Sequence, residues 1–285
     1  GDYHTIAHAQ RTLIRLLRYS IKKFKRKARR PILALEMVRV EDSPHILQYL
    51  KGTISEHTFL KRIHFEKRWG FHWGNYRGLF QFAKEQKIEI VGINLSSKKH
   101  VPDLRERDRF AARNIAKLTA KDEKALVLVL VGDLHLAEKH LPGAMKKELK
   151  AHNLSRKSLV IHQNHERIYW RLVEKGLEHS VEVVKLKEGI YCVINTPPWV
   201  KIQSHVKWTE WLARCRKNRA NNSATGWEPD FFSEMDITDD IHELILLIKK
   251  FFHIAAESPG DPFDDFEVHG PVELDFLNSP GLQKT

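Results

Sequence analysis

The sequence predicts an α/β fold: a mainly parallel central sheet flanked by helices, with a helical C-terminal extension and a candidate β-hairpin. Short, almost wholly apolar runs rich in β-branched residues recur as ILALEMV (32–38), KIEIVGIN (87–94), ALVLVLV (125–131) and SLVIHQN (158–164). Strands buried on both faces of a parallel sheet read this way. Stretches of helical period separate them, which is the βαβα alternation of an α/β domain. With 285 residues, the chain is long enough to bury such a core.

The elements follow in order. Thr5 to Phe24 carries Ile6, Leu13, Ile14, Leu17, Ile21 and Phe24 at three- and four-residue steps, an amphipathic helix that Pro31 closes. The strand 32–38 follows, with Glu36 at its end, then a helix over 44–50. Next comes HTFLKRIHFEKRWGFHWGNY (57–76), dense in imidazole and aromatic rings. Helices are expected at 79–86, 104–118 and 137–149, ahead of the second, third and fourth strands respectively. HSVEVVKL (179–186) and GIYCVINT (189–196) suit a hairpin around Lys187-Glu188. After PPW (197–199), helices are expected at 205–219 and 239–255, with Thr238 near the cap of the last. Residues 1–196 are thus expected as the α/β core, and 197–285 as a mostly helical extension packed on it with an acidic tail.

Composition narrows the class. A mean hydropathy of −0.45 and the lack of any apolar run near the roughly 18 residues of a membrane span describe a globular chain with no transmembrane segment. The net charge of +12 permits anionic partners. Its densest cluster, KKFKRKARR (22–30), carries no nucleic-acid motif, and a solvated helix end explains it as well. Cys192 and Cys215 are too few for a disulfide framework or a thiolate zinc site.

Chemistry gathers at the strand exits, where ligands bind in open parallel sheets. His135 leaves the strand 125–131 within GDLH (132–135), and Glu36 sits at the end of 32–38. His4 lies in GDYH (1–4), just before a helix, where a strand should end; that strand is expected upstream of Gly1. Two imidazoles and a carboxylate make a plausible first set of ligands for a divalent ion, with Mn, Co, Zn and Ni not distinguished. Glycine at a strand exit lets the backbone approach closely and aim the histidine inward. Asp2 and Asp133 are candidates for further ligands or for acceptors that orient an imidazole. Arg109 and Arg113, four apart on the charged helix, could steer a carboxylate or stabilise an oxyanion, or could simply be solvated. Within 57–76, His64, His72 and Tyr76 are candidate haem donors between apolar walls, as in a lid or haem-contacting loop. The plainer reading of that segment is an aromatic flap on the core.

The two GxxH tetrapeptides with Glu36 of LALEM between them resemble the ChaN/Tiki superfamily, similar in fold to erythromycin esterases. Trp73 and Tyr76 before AKEQKIEIVGIN, and RERDRFAARNIAKL (105–118), resemble its bacterial ChaN-like branch, over about residues 1–165. The resemblance implies one of two functions. Tiki-type members are metal-dependent proteases with the GxxH histidines and the glutamate at the active site. ChaN-type members bind haem in iron uptake, often as envelope lipoproteins, although no signal peptide or lipobox stands in this sequence. The first expectation is therefore a divalent-metal hydrolase acting on a peptide or ester, with His4 and His135 as ligands and Glu36 as third ligand or general base. The alternative is a haem-binding uptake protein without hydrolytic activity, and a third is a binding module using the basic face. A homo-oligomer is compatible with each.

Overall fold

The computed structural model describes residues 1–24, 29–95, 102–122 and 124–221. The apolar runs form the strands that position the site. β1 (Pro31–Arg39) is buried at every position from Ile32 to Val38. It lies between β2 (Glu89–Asn94) and β3 (Leu126–Leu130), and both pairings are parallel. The β1–β3 ladder stops at Leu35↔Leu130, so Glu36 is the first residue past it, although β1 itself continues to Arg39. Gly92 is required where β1 leaves the sheet: a Cβ there would stand 2.1 Å from the Arg39 carbonyl oxygen.

Helices cover this sheet. α1 (His8–Phe24) packs on α5 (Gly74–Glu85) and on β1. α6 (Leu104–Lys121) packs on β2 and on α7 (Leu141–Ala151). Asp103 caps α6 by accepting the Glu106 N–H at 2.7 Å, one of the donors a helix start leaves unpaired. Between these helices and the sheet lies a cluster of Ala34, Ile93, Ala111, Ala112, Ile115, Val131 and Leu141. Side chains alternate along a strand, so Glu36 shares its face of β1 with Ala34, the face turned to α6.

The α/β class and its mainly parallel character are as expected; the layout differs in several respects. The strands divide into two three-stranded sheets. The second has the order β4-β6-β5, from β4 (Val160–Gln163), β5 (Val183–Lys187) and β6 (Ile190–Val193). β4 is parallel to β6, and β5–β6 is the expected hairpin, turning at Gly189 with φ +74°. Between the sheets runs the chain start. Asp2 makes a parallel bridge to Gly132, Gly1 donates its ammonium to the Ile161 carbonyl at 2.7 Å, and Gln163 donates to the Gly1 carbonyl at 2.5 Å.

Segment 57–76 packs its aromatic rings into the core and leaves His57, His64 and His72 exposed, as the plainer reading expected, but it is helical rather than a loop. It forms α3 (Glu56–Arg62), α4 (Phe65–Trp69) and the first turn of α5, preceded by α2 (Ser43–Leu50). α4 is short because Gly70, at φ +75°, ends it. After β3 the chain makes a 3-10 turn (Asp133–Leu136), and α7 begins only at Leu141, where Pro142 fits a first-turn position.

These elements lie in a unit of Gly1–His165 with His179–Pro197. A second unit comprises Glu166–Glu178 and Pro198–Thr285. Within it, α8 (Glu166–Val173) was not anticipated, and α9 (Pro198–Asn221) begins seven residues before the expected helix, with Pro198 opening it. Tyr169 meets Trp170 and Trp199 edge to face, and the two tryptophans are tilted to each other. The helix expected at 239–255 and the acidic tail lie outside the described residues. Among the described residues no helix is long and apolar enough to cross a membrane.

Candidate functional site

Three backbone segments converge where β1 and β3 end. Glu36 comes from β1, His135 from the 3-10 turn after β3, and His4 from the turn that follows the Asp2–Gly132 bridge. His135 stays within that turn because its N–H donates to the Gly132 carbonyl at 3.0 Å. Glu36 and His135 meet directly, with Nε2 2.9 Å from Oε1. The other carboxylate oxygen, Oε2, accepts the Gly132 N–H at 2.8 Å. A Cβ on Gly132 would stand 3.0 Å from His4 Nε2 and 3.7 Å from Glu36 Oε2, so that glycine keeps the space between them open.

Each imidazole is held from behind by a carboxylate. His4 Nδ1 lies 2.8 Å from Asp2 Oδ2, and His135 Nδ1 lies 2.6 Å from Asp108 Oδ1. Asp2 also accepts from Gln10 at 2.7 Å and from the Tyr76 hydroxyl at 3.3 Å. The His4 ring lies 4.8 Å from Trp69 and 4.8 Å from Phe71, and Asn75 donates to the His4 carbonyl at 3.0 Å. Asp108 shares its second oxygen with His140, 2.7 Å away, and Arg107 Nη1 lies 3.6 Å from Glu36 Oε1.

Charge in this cluster is strongly coupled. Burial alone would raise the Glu36 carboxyl, but His135, His4 and Arg107 outweigh it and hold the group well below the usual carboxylate range. Burial would lower His135, yet Glu36 and Asp108 push it up to about 9. His4 is likewise raised, burial being outweighed by Asp2 and Glu36. As placed, both ring nitrogens of His135 face carboxylate oxygens, so both donate and the ring is an imidazolium at neutral pH. Burial, then Asp2, lifts Tyr76 well above its ordinary value, so its hydroxyl remains a donor.

The structure therefore brings His4, Glu36 and His135 together, with Asp2 behind His4. Asp133 does not serve His135: its carboxylate lies against Gly1, 1.7 Å from where a Cβ on that residue would stand. Arg109 and Arg113 lie exposed on α6, where Arg113 Nε donates to the Arg109 carbonyl at 3.3 Å. The guanidinium that reaches Glu36 is that of Arg107 instead. His64 and His72 are exposed. Tyr76 is fully buried, with its hydroxyl on Asp2 and 3.4 Å from His4, so it belongs to the His4 cluster and not to a surface haem contact. Asp108, Arg107 and His140 were missed. A signal for Asp108 was available: it lies three and four residues before Ala111 and Ala112 on the apolar stripe of α6, a carboxylate on a buried face.

The fold and this cluster define an α/β protein with a buried His-Glu-His constellation at the ends of parallel strands. Residues 1–101 match the family model described as haem-binding uptake, Tiki superfamily, ChaN. The matched stretch holds His4 and Glu36 but not His135. Two solved structures are similar. One, described as cofacial haem binding to ChaN of Campylobacter jejuni, is 16% identical at a TM-score of 0.40, over 58% of this chain and 80% of that one. The other shows a thiol-protease-like catalytic triad in the C-terminal region of Pasteurella multocida toxin. It is 20% identical at a TM-score of 0.30, over 41% of this chain and 17% of that one. No curated protein matches the chain in sequence.

Proposed function

We propose that His4, Glu36 and His135 bind a divalent cation and that the site hydrolyses a peptide or ester bond. The observation that carries this reading is the carboxylate behind each imidazole. Asp2 and Asp108 take the two Nδ1 atoms, so His135 Nε2 is turned to Glu36 and His4 Nε2 to the space beside Gly132. Carboxylate-backed histidines are the usual arrangement of metal-ligating imidazoles. As placed, Glu36 and His135 bond to each other, and among the described residues no group of three His, Cys, Asp or Glu side chains is close enough to hold a metal. The donor chemistry still fits: His135 Nε2, once it has lost its proton, would offer a lone pair to a cation while Nδ1–H stays on Asp108.

A divalent cation there would lower the pKa of a water it holds. The chain's own residues supply the rest. Glu36, kept ionised by its neighbours and fixed by the Gly132 N–H, is available as third ligand or as base for that water. Arg107 places positive charge beside the carboxylate, where an anionic group of the substrate or of the transition state would sit.

The description of the matched family favours a second reading, haem binding without hydrolysis. One measurement separates them: elemental analysis and an absorption spectrum of the same purified protein, repeated after adding Mn2+, Zn2+ or haemin. The hydrolase reading expects about one divalent cation per chain, lost in His135→Ala. A Soret band that appears with haemin, without cation uptake, establishes the haem reading in its place.

A further inference from the structure

Asp108 serves two imidazoles. Its Oδ1 lies 2.6 Å from His135 Nδ1 and its Oδ2 lies 2.7 Å from His140 Nδ1. The carboxylate is only 2% exposed, whereas His140 is about one quarter exposed and reaches it from the rim. We infer that His140 is a positioning residue: it holds the plane of the Asp108 carboxylate, and through it the direction of the His135 ring toward Glu36.

Two features support this. The terminal torsion of an aspartate is broad, so a single contact at Oδ1 leaves the carboxylate free to rock, whereas a contact at each oxygen fixes it. His140 is itself anchored, because its N–H donates to the Ala137 carbonyl at 2.9 Å and its carbonyl accepts the Ala144 N–H at 2.9 Å at the start of α7. The clamp therefore spans α6 and α7, which pack against each other. A simple tie between two helices would stabilise the pair without touching His135, and the test has to distinguish the two roles.

The inference rests on His135 being a site residue, so the experiment has one arm that needs no cation. The metal-free full chain, labelled with 15N in its histidine rings, is expected to show two low-field N–H signals from the short contacts to Asp108. His140→Leu removes one of them and displaces the signal of His135. His140→Gln keeps an amide donor for Oδ2 and returns the His135 signal to its wild-type position. Titration with Mn2+ or Zn2+ follows the same order, with affinity about tenfold weaker in His140→Leu and near wild type in His140→Gln. Thermal melting checks folding, and His140→Ser replaces the leucine variant if that variant unfolds.

An unmoved His135 signal in a folded His140→Leu protein overturns the inference, as does equal displacement in the leucine and glutamine variants. If the wild type binds neither cation, the hydrolase reading falls, while the ring signals still decide the role of His140.

Discussion

Gly132→Ala tests the site at its narrowest point. The backbone there has φ −57° and ψ 152°, a conformation open to any L-residue, so alanine meets no backbone strain. The new methyl carbon would stand 3.0 Å from His4 Nε2 and 3.7 Å from Glu36 Oε2. Only the first contact is too close, and a shift of a few tenths of an ångström relieves it. The His4 ring has little freedom to move, held by Asp2 at 2.8 Å and bounded by Trp69 and Phe71. Overpacking of this kind costs about 1–3 kcal/mol, and the lower end applies to a single tight contact. Replacing glycine at a compatible position returns about 0.4–1 kcal/mol through the unfolded chain. The net loss should be about 1 kcal/mol or less, measured as the shift in urea unfolding. Binding should suffer far more, because the methyl fills the space between His4 Nε2 and Glu36; divalent-cation affinity by calorimetry should fall at least ~100-fold, an excluded ligand position costing more than a lost neighbour of a ligand. Unchanged affinity would refute the reading of that space as the binding position. A stability loss well above ~3 kcal/mol would refute the claim that only the site feels the substitution.

Two further outcomes follow from the same geometry. His135 titrates at about 9 in the folded chain against about 6.5 unfolded, so its contribution to stability is complete below about pH 6.5 and is lost as pH rises through 9. Glu36 is depressed, so its contribution is present above about pH 4.3 and is lost as pH falls further. Urea unfolding followed from pH 4 to 10 should therefore show an alkaline decline that His135→Gln flattens; equal alkaline slopes in the two proteins would contradict the ion pair. Arg107→Ala should cost about 1–2 kcal/mol, because it takes a charge partner from a buried carboxylate, whereas Arg109→Ala at the exposed face of α6 should stay within about 0.5 kcal/mol. Equal effects of the two substitutions would show that Arg107 does not serve Glu36.

How far the sequence could be read depended on the range of the interaction. The strands at 31–39, 89–94 and 126–130 were legible because each carries a short, β-branched, largely apolar run, a signal that needs no knowledge of its neighbours, although only the central one is buried along its length. His135 was legible for the same reason, since it follows such a run, and Glu36 because it is the one charged residue inside another, although β1 continues past it to Arg39. The helices of 56–85 were harder to place, since crowded aromatic residues mark burial without setting a period, and the breaks at His64 and Gly70 depend on left-handed backbone. Asp108 could have been singled out by its place on the apolar stripe of α6, but Arg107 could not be ranked above Arg109 and Arg113 by spacing alone. Which face of α6 turns to β1 is decided by packing of Ala111, Ala112 and Ile115 against Ala34.

The two GDxH tetrapeptides show where likeness of letters stops being likeness of role. In the first copy, Asp2 is held straight by its bridge to Gly132, and its carboxylate turns forward two residues to take His4 Nδ1. In the second copy, residues 133–136 coil into a 3-10 turn, which carries Asp133 away toward Gly1 and leaves His135 Nδ1 to a carboxylate from another helix. The glycines differ as well. Gly132 gives its N–H to Glu36 and its missing Cβ to His4, whereas Gly1 gives its ammonium to β4. The repeated spacing supplies two imidazoles with their Nδ1 atoms backed by acid, but by aspartates from different places. Replacing Asp2 therefore acts on His4, with Gln10 and Tyr76 beside it, whereas replacing Asp108 acts on His135 and His140, so each imidazole of the site has its own aspartate to perturb.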